Sequence, residues 1–186
     1  MPPRWSIAPE RTHPLDTDTT TPCNVRPIAG DDFAAVRALL AELGRPAPDP
    51  ATGEVMPATF DRHVASTGTT SLIAERDGAA IGFLSLHLHD RLNHGMPAAW
   101  IPDLVVTGAA HGTGATTALM DRAKGIARER GCHALTLESG YPRLRAHRFY
   151  GREGFTVAGK YVTVVIDQTS GDAAGSAGPV GGKETS

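Results

Sequence analysis

Along this chain the spacing of apolar positions changes from segment to segment, and each change predicts an element. Asn24 to Ile28 reads as a short strand, after which Asp31 is placed to cap a helix. In that helix Phe33, Val36, Leu39, Leu40 and Leu43 recur at helical spacing, and Gly44 and Pro46 stop it. A second helix is expected from Pro57 to Ser66, where Phe60 and Val64 share a face. Thr70 to Glu75 and Ala80 to Leu88 are β-type runs on either side of Asp77-Gly78, a pair that readily takes the positive φ angles of a tight hairpin. Ala98 to Thr107 reads as another strand, and Gly112 to Arg130 as a helix carried by Ala115, Leu119, Ala123, Ile126 and Ala127. A strand from His133 to Leu137, a helix from Arg143 to Gly151 and a last strand from Phe155 to Ile166 complete the order. Strands and helices mixed in this way predict an α/β or α+β fold around one mixed sheet.

Composition sets the bounds of that fold. Residues 1–23 are rich in Pro, Thr and Asp and residues 168–186 in Gly, Ser and Ala, so both are expected to be flexible tails around a folded unit at 24–167. With 186 residues and 40% hydrophobic content, one domain can bury its own core. A formal net charge of -2 and a pI near 6.4 supply no basic field for nucleic acid or an anionic membrane, so neither is expected as a partner. Cys23 and Cys132 form no CxxC pair and no disulfide framework, which makes a reducing cytoplasm the expected location. No signal peptide and no run of about 20 apolar residues is found.

The first chemical signal lies where a strand passes into a helix, in Leu104-Val105-Val106-Thr107-Gly108-Ala109-Ala110-His111-Gly112-Thr113-Gly114-Ala115. Backbone N–H groups at a helix N-terminus, backed by the positive end of the helix dipole, favour a bound phosphate, and small residues let it approach. A glycine pair is also an ordinary tight connection, so its surroundings matter. They include the strand ending Leu137-Glu138-Ser139-Gly140 and the block Ala146-His147-Arg148-Phe149-Tyr150-Gly151-Arg152-Glu153-Gly154-Phe155. With these pieces, over roughly residues 24–166, the sequence resembles the GCN5-related N-acetyltransferase (GNAT) family.

The resemblance implies a single domain with a mixed, mostly antiparallel central sheet flanked by helices, using acetyl-CoA as cosubstrate. It implies that the backbone of Leu104, Val105 and Val106 pairs with the pantetheine arm, and that Ala110, His111, Gly112, Thr113, Gly114 and Ala115 surround the pyrophosphate. The family's loop opens with Gln or Arg three residues before its first glycine; here that position is Ala109. The departure removes one phosphate contact while leaving the backbone donors. Tyr150 matches the tyrosine that commonly protonates the coenzyme sulfur.

Acyl transfer also needs a neutral amine and a stabilised oxyanion. Asp103 and Glu138, at the ends of neighbouring strands, are the carboxylates placed to act as base, with Asp103 preferred. A backbone N–H near Val105 or Val106 is the oxyanion donor that the resemblance implies. His87 and His89 fall on one strand face, which could be an exposed edge, a substrate wall or a water-linked base. Without a third ligand at zinc spacing, no metal is expected there. Ser139, Arg143 and His147 follow the strand that should flank the acceptor, as substrate contacts or as a solvated face.

The expected activity is therefore transfer of an acetyl group to a primary amine of a small molecule. A catalytically weak or inactive acyl-CoA-binding regulatory module is the alternative, favoured by Ala109. A nucleotide enzyme using the same turn lacks the Lys-Ser or Lys-Thr expected after Gly114. Open edges of such a sheet would suit a homodimer.

Overall fold

A computed structural model of the protein describes residues 22–43 and 50–164. Both expected tails lie outside the described residues, except for Pro22 and Cys23, and so do Gly44 and Pro46. The chain divides after Glu138 into two compact units.

In the first unit the elements run β1 (Asn24–Pro27), α1 (Phe33–Glu42), α2 (Pro50–Ala65), β2 (Leu72–Arg76), β3 (Ala79–Leu84), β4 (His87–Arg91), β5 (Met96–Ile101), β6 (Leu104–Val106), α3 (Ala115–Glu129) and β7 (Leu135–Leu137). One sheet has the order β1-β2-β3-β6 and is antiparallel throughout; the other has the order β4-β5-β7, in which β5 and β7 are parallel. The mixed, mostly antiparallel character expected from the sequence is thus observed. Asp77 and Gly78 turn β2 into β3 with φ of 52° and 78°, as that pair predicted.

The first sheet is filled on both faces. Ile73, Phe83 and Val105 lie in one row across β2, β3 and β6, and they join Val36, Leu39 and Leu43 with Phe60 of α2 in one core. The ring of Phe60 meets Phe33 edge-on at 5.4 Å. On the opposite face Leu119 of α3 approaches Gly82 so closely that a Cβ there would sit 3.0 Å from its Cδ1. Ala115, Leu119, Met120 and Ala123 are fully buried along that side of α3. Burying such side chains contributes about 1.5–3 kcal/mol each for the larger ones.

Several boundaries differ from the expectations, each for a physical reason. Asp32, not Asp31, organises the start of α1: its carboxylate accepts the Ala29 N–H at 2.7 Å and two bonds from Arg26 at 2.6 and 2.8 Å. Arg26 also reaches Glu75 across the β1–β2 ladder. The Arg26 guanidinium holds the Asp32 carboxyl below the usual carboxylate range, with burial opposing and the Ala29 N–H assisting. Helix α2 begins at Pro50, well before Pro57, which stands inside it. A proline there costs one backbone bond but fixes a helical φ.

The run Ala80 to Leu88 is split into β3 and β4, and Ala98 to Thr107 into β5 and β6. Ser85 and Asp103 mark the two breaks and are bonded to each other: the Ser85 N–H donates to the Asp103 carbonyl at 3.0 Å, and the Asp103 N–H to the Ser85 hydroxyl at 3.0 Å. That hydroxyl donates in turn to the Asp103 carboxylate at 3.1 Å.

The second unit contains α4 (Leu144–Arg152). The strand expected from Phe155 to Ile166 is not formed over 155–164, and 165–166 lie outside the described residues. Val157 and Val162 there are 98% and 86% exposed. Alternating apolar residues make a strand only where an open edge accepts their backbone, and no described strand pairs with this segment.

Candidate active site

The break at Pro102–Asp103 creates an open strand edge. Up to Ile101 the chain runs beside β7, with Trp100 opposite Thr136 and Ile101 opposite Leu137. Beyond Asp103, β6 pairs with β3 alone, so its other edge faces no strand among the described residues. Successive residues of a strand turn their N–H and C=O to opposite edges. The Asp103 carbonyl and the Thr107 N–H both face β3. Val105 therefore also turns to β3, while Leu104 and Val106 direct their N–H and C=O to the open edge. Of the three residues expected to meet a pantetheine arm, Leu104 and Val106 present backbone groups to the open edge, whereas Val105 turns to β3 and its side chain lies in the core.

This edge runs straight into the glycine turn. Gly108–Ala110 forms a single 3₁₀ turn, and the buried Ala110 carbonyl accepts the Thr113 hydroxyl at 2.7 Å and its N–H at 3.3 Å. Gly112 and Gly114 hold φ of 80° and 85°, values that cost a side-chain-bearing residue strain. Helix α3 starts at Ala115, and Ala118 is the first to donate along it, to the Gly114 carbonyl at 2.9 Å. The preceding N–H groups of that first turn have no acceptor within the helix. A Cβ built on Gly112 or Gly114 meets nothing within 4 Å, so the backbone of the turn is uncrowded at both glycines. The turn therefore fits a phosphate-bearing ligand that needs close backbone approach.

At the other end of β6 the structure gathers residues from three elements. The His63 imidazole of α2 bonds to the buried Ser71 hydroxyl at 2.6 Å and lies 5.4 Å, between ring centres, from His87 of β4. His87 in turn meets the ring of Trp100 edge-on at 5.6 Å. Burial first, then the neighbouring His87, pushes His63 down, with Asp103 opposing; burial pushes His87 down likewise, against Asp103. Both rings are held neutral close to neutral pH. The Trp100 indole N–H is buried and has no partner among the described residues.

His89, expected beside His87, is exposed on β4, and Glu138 is exposed just after β7. The Ser139 hydroxyl is buried without a partner among the described residues, and Arg143 is exposed. In the second unit Tyr150 packs edge-on to Phe149 at 5.7 Å and to Phe155 at 6.0 Å. Burial raises its hydroxyl pKa, and the charge of Arg143 partly counters this.

His63, Trp100 and Ser85 had no signal in the sequence, because each meets its partner only through pairing of distant segments. Arg76 was also missed; it donates to the Thr113 carbonyl at 3.1 Å. Among the described residues no three His, Cys, Asp or Glu side chains are grouped to hold a metal ion, and no helix is long and apolar enough to cross a membrane.

Comparison with known proteins bears on this geometry. The aminoalkylphosphonate N-acetyltransferase of Salmonella typhimurium is 29% identical over 138 residues, covering 74% of this chain and 88% of that protein. Among solved structures, a transcriptional regulator from Bacillus halodurans superposes with a TM-score of 0.71 at 22% identity, over 77% of this chain and 99% of that one. Glucosamine-6-phosphate N-acetyltransferase from Arabidopsis thaliana gives 0.67 at 16% identity, over 78% and 99%. These two likenesses concern the fold alone. The model of the acetyltransferase (GNAT) family matches residues 36–155, from α1 through the open edge and the glycine turn to the end of α4, and the chain belongs to that family.

Proposed function

We propose that the protein transfers an acetyl group from acetyl-CoA directly to a primary amine of a small molecule. The observation that carries this reading is the continuity of two backbone features: the open edge of β6 leads into the positive-φ turn at Gly112 and Gly114 and so to the N-terminus of α3. A pantetheine arm adds to such an edge as a strand would, and its diphosphate then reaches unpaired helix N–H groups.

In this reading Leu104 and Val106 hold the arm, and residues from Ala110 to Ala115 form the diphosphate cradle. The amine attacks the thioester carbonyl, its nitrogen forming the new C–N bond as the carbonyl oxygen becomes an oxyanion. The N–H of Val106, turned to the open edge, is the proposed oxyanion donor. Asp103, held by Ser85, is the proposed base that takes the amine's proton. As the C–S bond breaks, Tyr150 returns a proton to the departing thiolate. Its raised pKa keeps the phenol protonated near neutral pH.

The neutral His87, exposed His89, Glu138, Ser139 and Arg143 are the proposed acceptor contacts. A small amine is supported by the relative named for acting on aminoalkylphosphonates. Calorimetric titration with acetyl-CoA, followed by a thiol-release screen across amine classes, tests the proposal. Saturable binding with amine-dependent thiol release supports it. Binding without release for any amine would instead support a regulatory coenzyme-binding module, and absence of binding at millimolar coenzyme would refute both.

A further inference from the structure

The glycine turn carries almost no cation of its own with which to meet an anion. From Thr107 to Ala115 there is no Lys or Arg, and Ala109 stands where the family's loop opens with Gln or Arg. A cation nevertheless arrives from elsewhere in the fold. Arg76 is the last residue of β2, immediately before the hairpin at Asp77 and Gly78, and its Nη2 donates to the Thr113 carbonyl. Its Nε is buried and has no partner among the described residues. Nor does any carboxylate among them pair with it: neighbouring Glu75 is taken by Arg26.

A guanidinium with a buried, unsatisfied N–H and no counter-ion is costly unless the site is completed by an anion. The position of Arg76 says which one. The Thr113 carbonyl and the Gly114 N–H belong to the same planar trans peptide and point in opposite directions. Arg76 therefore stands on the side of that peptide opposite to the Gly114 N–H. A donor on the carbonyl polarises that peptide and strengthens its N–H. The full positive charge of Arg76 adds to the fractional charge at the start of α3.

We propose that Arg76 is the cation of the coenzyme site: from the β2–β3 hairpin it braces the turn and supplies the positive charge for the diphosphate that Ala109 cannot. The proposal rests on the coenzyme reading above. Arg76 is a positioning residue, acting through the Thr113–Gly114 peptide. An anion on the Gly114 N–H would lie about 8 Å from the guanidinium, where one charge changes affinity about 2- to 30-fold between the dielectric of water and that of a protein surface.

The test compares wild type with Arg76→Gln and Arg76→Lys. Glutamine removes the charge, and because its amide ends about two bonds short of Nη2 it also gives up the donation to the Thr113 carbonyl; lysine restores charge without the fork, and the salt dependence separates charge from bracing. Each protein is titrated calorimetrically with CoA and with pantetheine, which lacks the diphosphate, and its melting temperature is recorded. The expected result is that Arg76→Gln weakens CoA about 2- to 30-fold, steeply at low salt, and leaves pantetheine unchanged, while Arg76→Lys recovers part of the loss. Equal CoA affinity in wild type and Arg76→Gln overturns the proposal and leaves the coenzyme reading intact. An equal loss for CoA and pantetheine also overturns it, because that is what a purely structural brace would produce. If Arg76→Gln does not fold, Arg76→Met, neutral and with a long apolar stem, takes its place: weaker CoA binding with a flattened salt dependence supports the charge role, and wild-type affinity and salt dependence refute it. Absence of CoA binding to the wild type defeats both readings together.

Discussion

Ser85→Ala tests how the bend that opens the site is held. The Ser85 hydroxyl is almost fully buried at 3% exposure, accepts the Asp103 N–H at 3.0 Å and donates to the Asp103 carboxylate at 3.1 Å. Alanine removes both bonds and leaves a small void. The hydrogen bond to a charged group is worth about 1.5–3 kcal/mol, and a half-buried N–H without its acceptor costs about 1–3 kcal/mol. These overlap, since one hydroxyl serves both, so the expected loss is about 2–4 kcal/mol. For a chain of this length that corresponds to a fall in Tm of roughly 4–15 °C. Urea and thermal unfolding give the stability, and calorimetry with acetyl-CoA gives the function. The backbone bond from the Ser85 N–H to the Asp103 carbonyl remains, so the fold should persist with a looser β5–β6 junction. Coenzyme affinity should fall with it, because Leu104 begins the open edge immediately after Asp103. A Tm within a degree of wild type would show that water or a rotation of Asp103 replaces the hydroxyl. The Ser85–Asp103 tie would then not be what fixes the bend.

Three further outcomes are expected. Tyr150→Phe should lower kcat by about 10²–10⁴ with coenzyme affinity nearly unchanged, if chemistry limits the rate; unaltered turnover with a competent amine removes Tyr150 from the mechanism. Asp32 has a folded-state pKa below its unfolded one, so its contribution is present above the ordinary carboxylate range and is lost as pH falls through the lowered folded value. Asp32→Asn should therefore be less stable than wild type near neutral pH and approach it in acid; parallel stability curves down to strongly acidic pH would contradict the Arg26–Asp32 account. Gly82→Ala places a Cβ 3.0 Å from Leu119 Cδ1 and Val106 Cγ2 and 3.2 Å from the Val105 carbonyl, and should cost about 1–3 kcal/mol in urea unfolding. Wild-type stability would mean that α3 can recede from the sheet without penalty.

What the sequence revealed is what local rules govern. Asp77-Gly78 dictates a hairpin because its φ angles are a property of two residues, and the apolar spacing of α1 and α3 is likewise local. The two glycines ahead of α3 announced the turn for the same reason. Ser85 and Asp103 were not legible as a pair, since nothing near either residue shows that two continuous apolar runs will break at matching points. His63 meets His87 only because α2 lies beside β4, and an isolated histidine on a helix carries no mark of that. Phe155 to Ile166 shows the opposite error: its alternation is real, but a strand is made by its partner as much as by its own pattern.

If the proposed coenzyme site is built from backbone, Ala109 need not mark a lost activity. The donors at the start of α3 and on the edge of β6 exist whichever side chains the turn carries, provided φ and the ladder are kept. A side-chain change on the turn that preserves these should then be mild, whereas one that forbids positive φ at Gly112 or Gly114, or loosens the bend at Asp103, should be severe. Charge is the one thing backbone supplies only in part, as about half an elementary unit at a helix N-terminus. The remainder must come from a cation, and that cation need not be adjacent in sequence. Arg76 is linked to the turn by the same antiparallel pairing, β2 to β3 and β3 to β6, that sets the open edge in place. Charge and edge are thus positioned by one ladder, and a substitution that shifts this ladder should weaken the diphosphate and pantetheine contacts together, while one that only neutralises Arg76 should weaken the first alone.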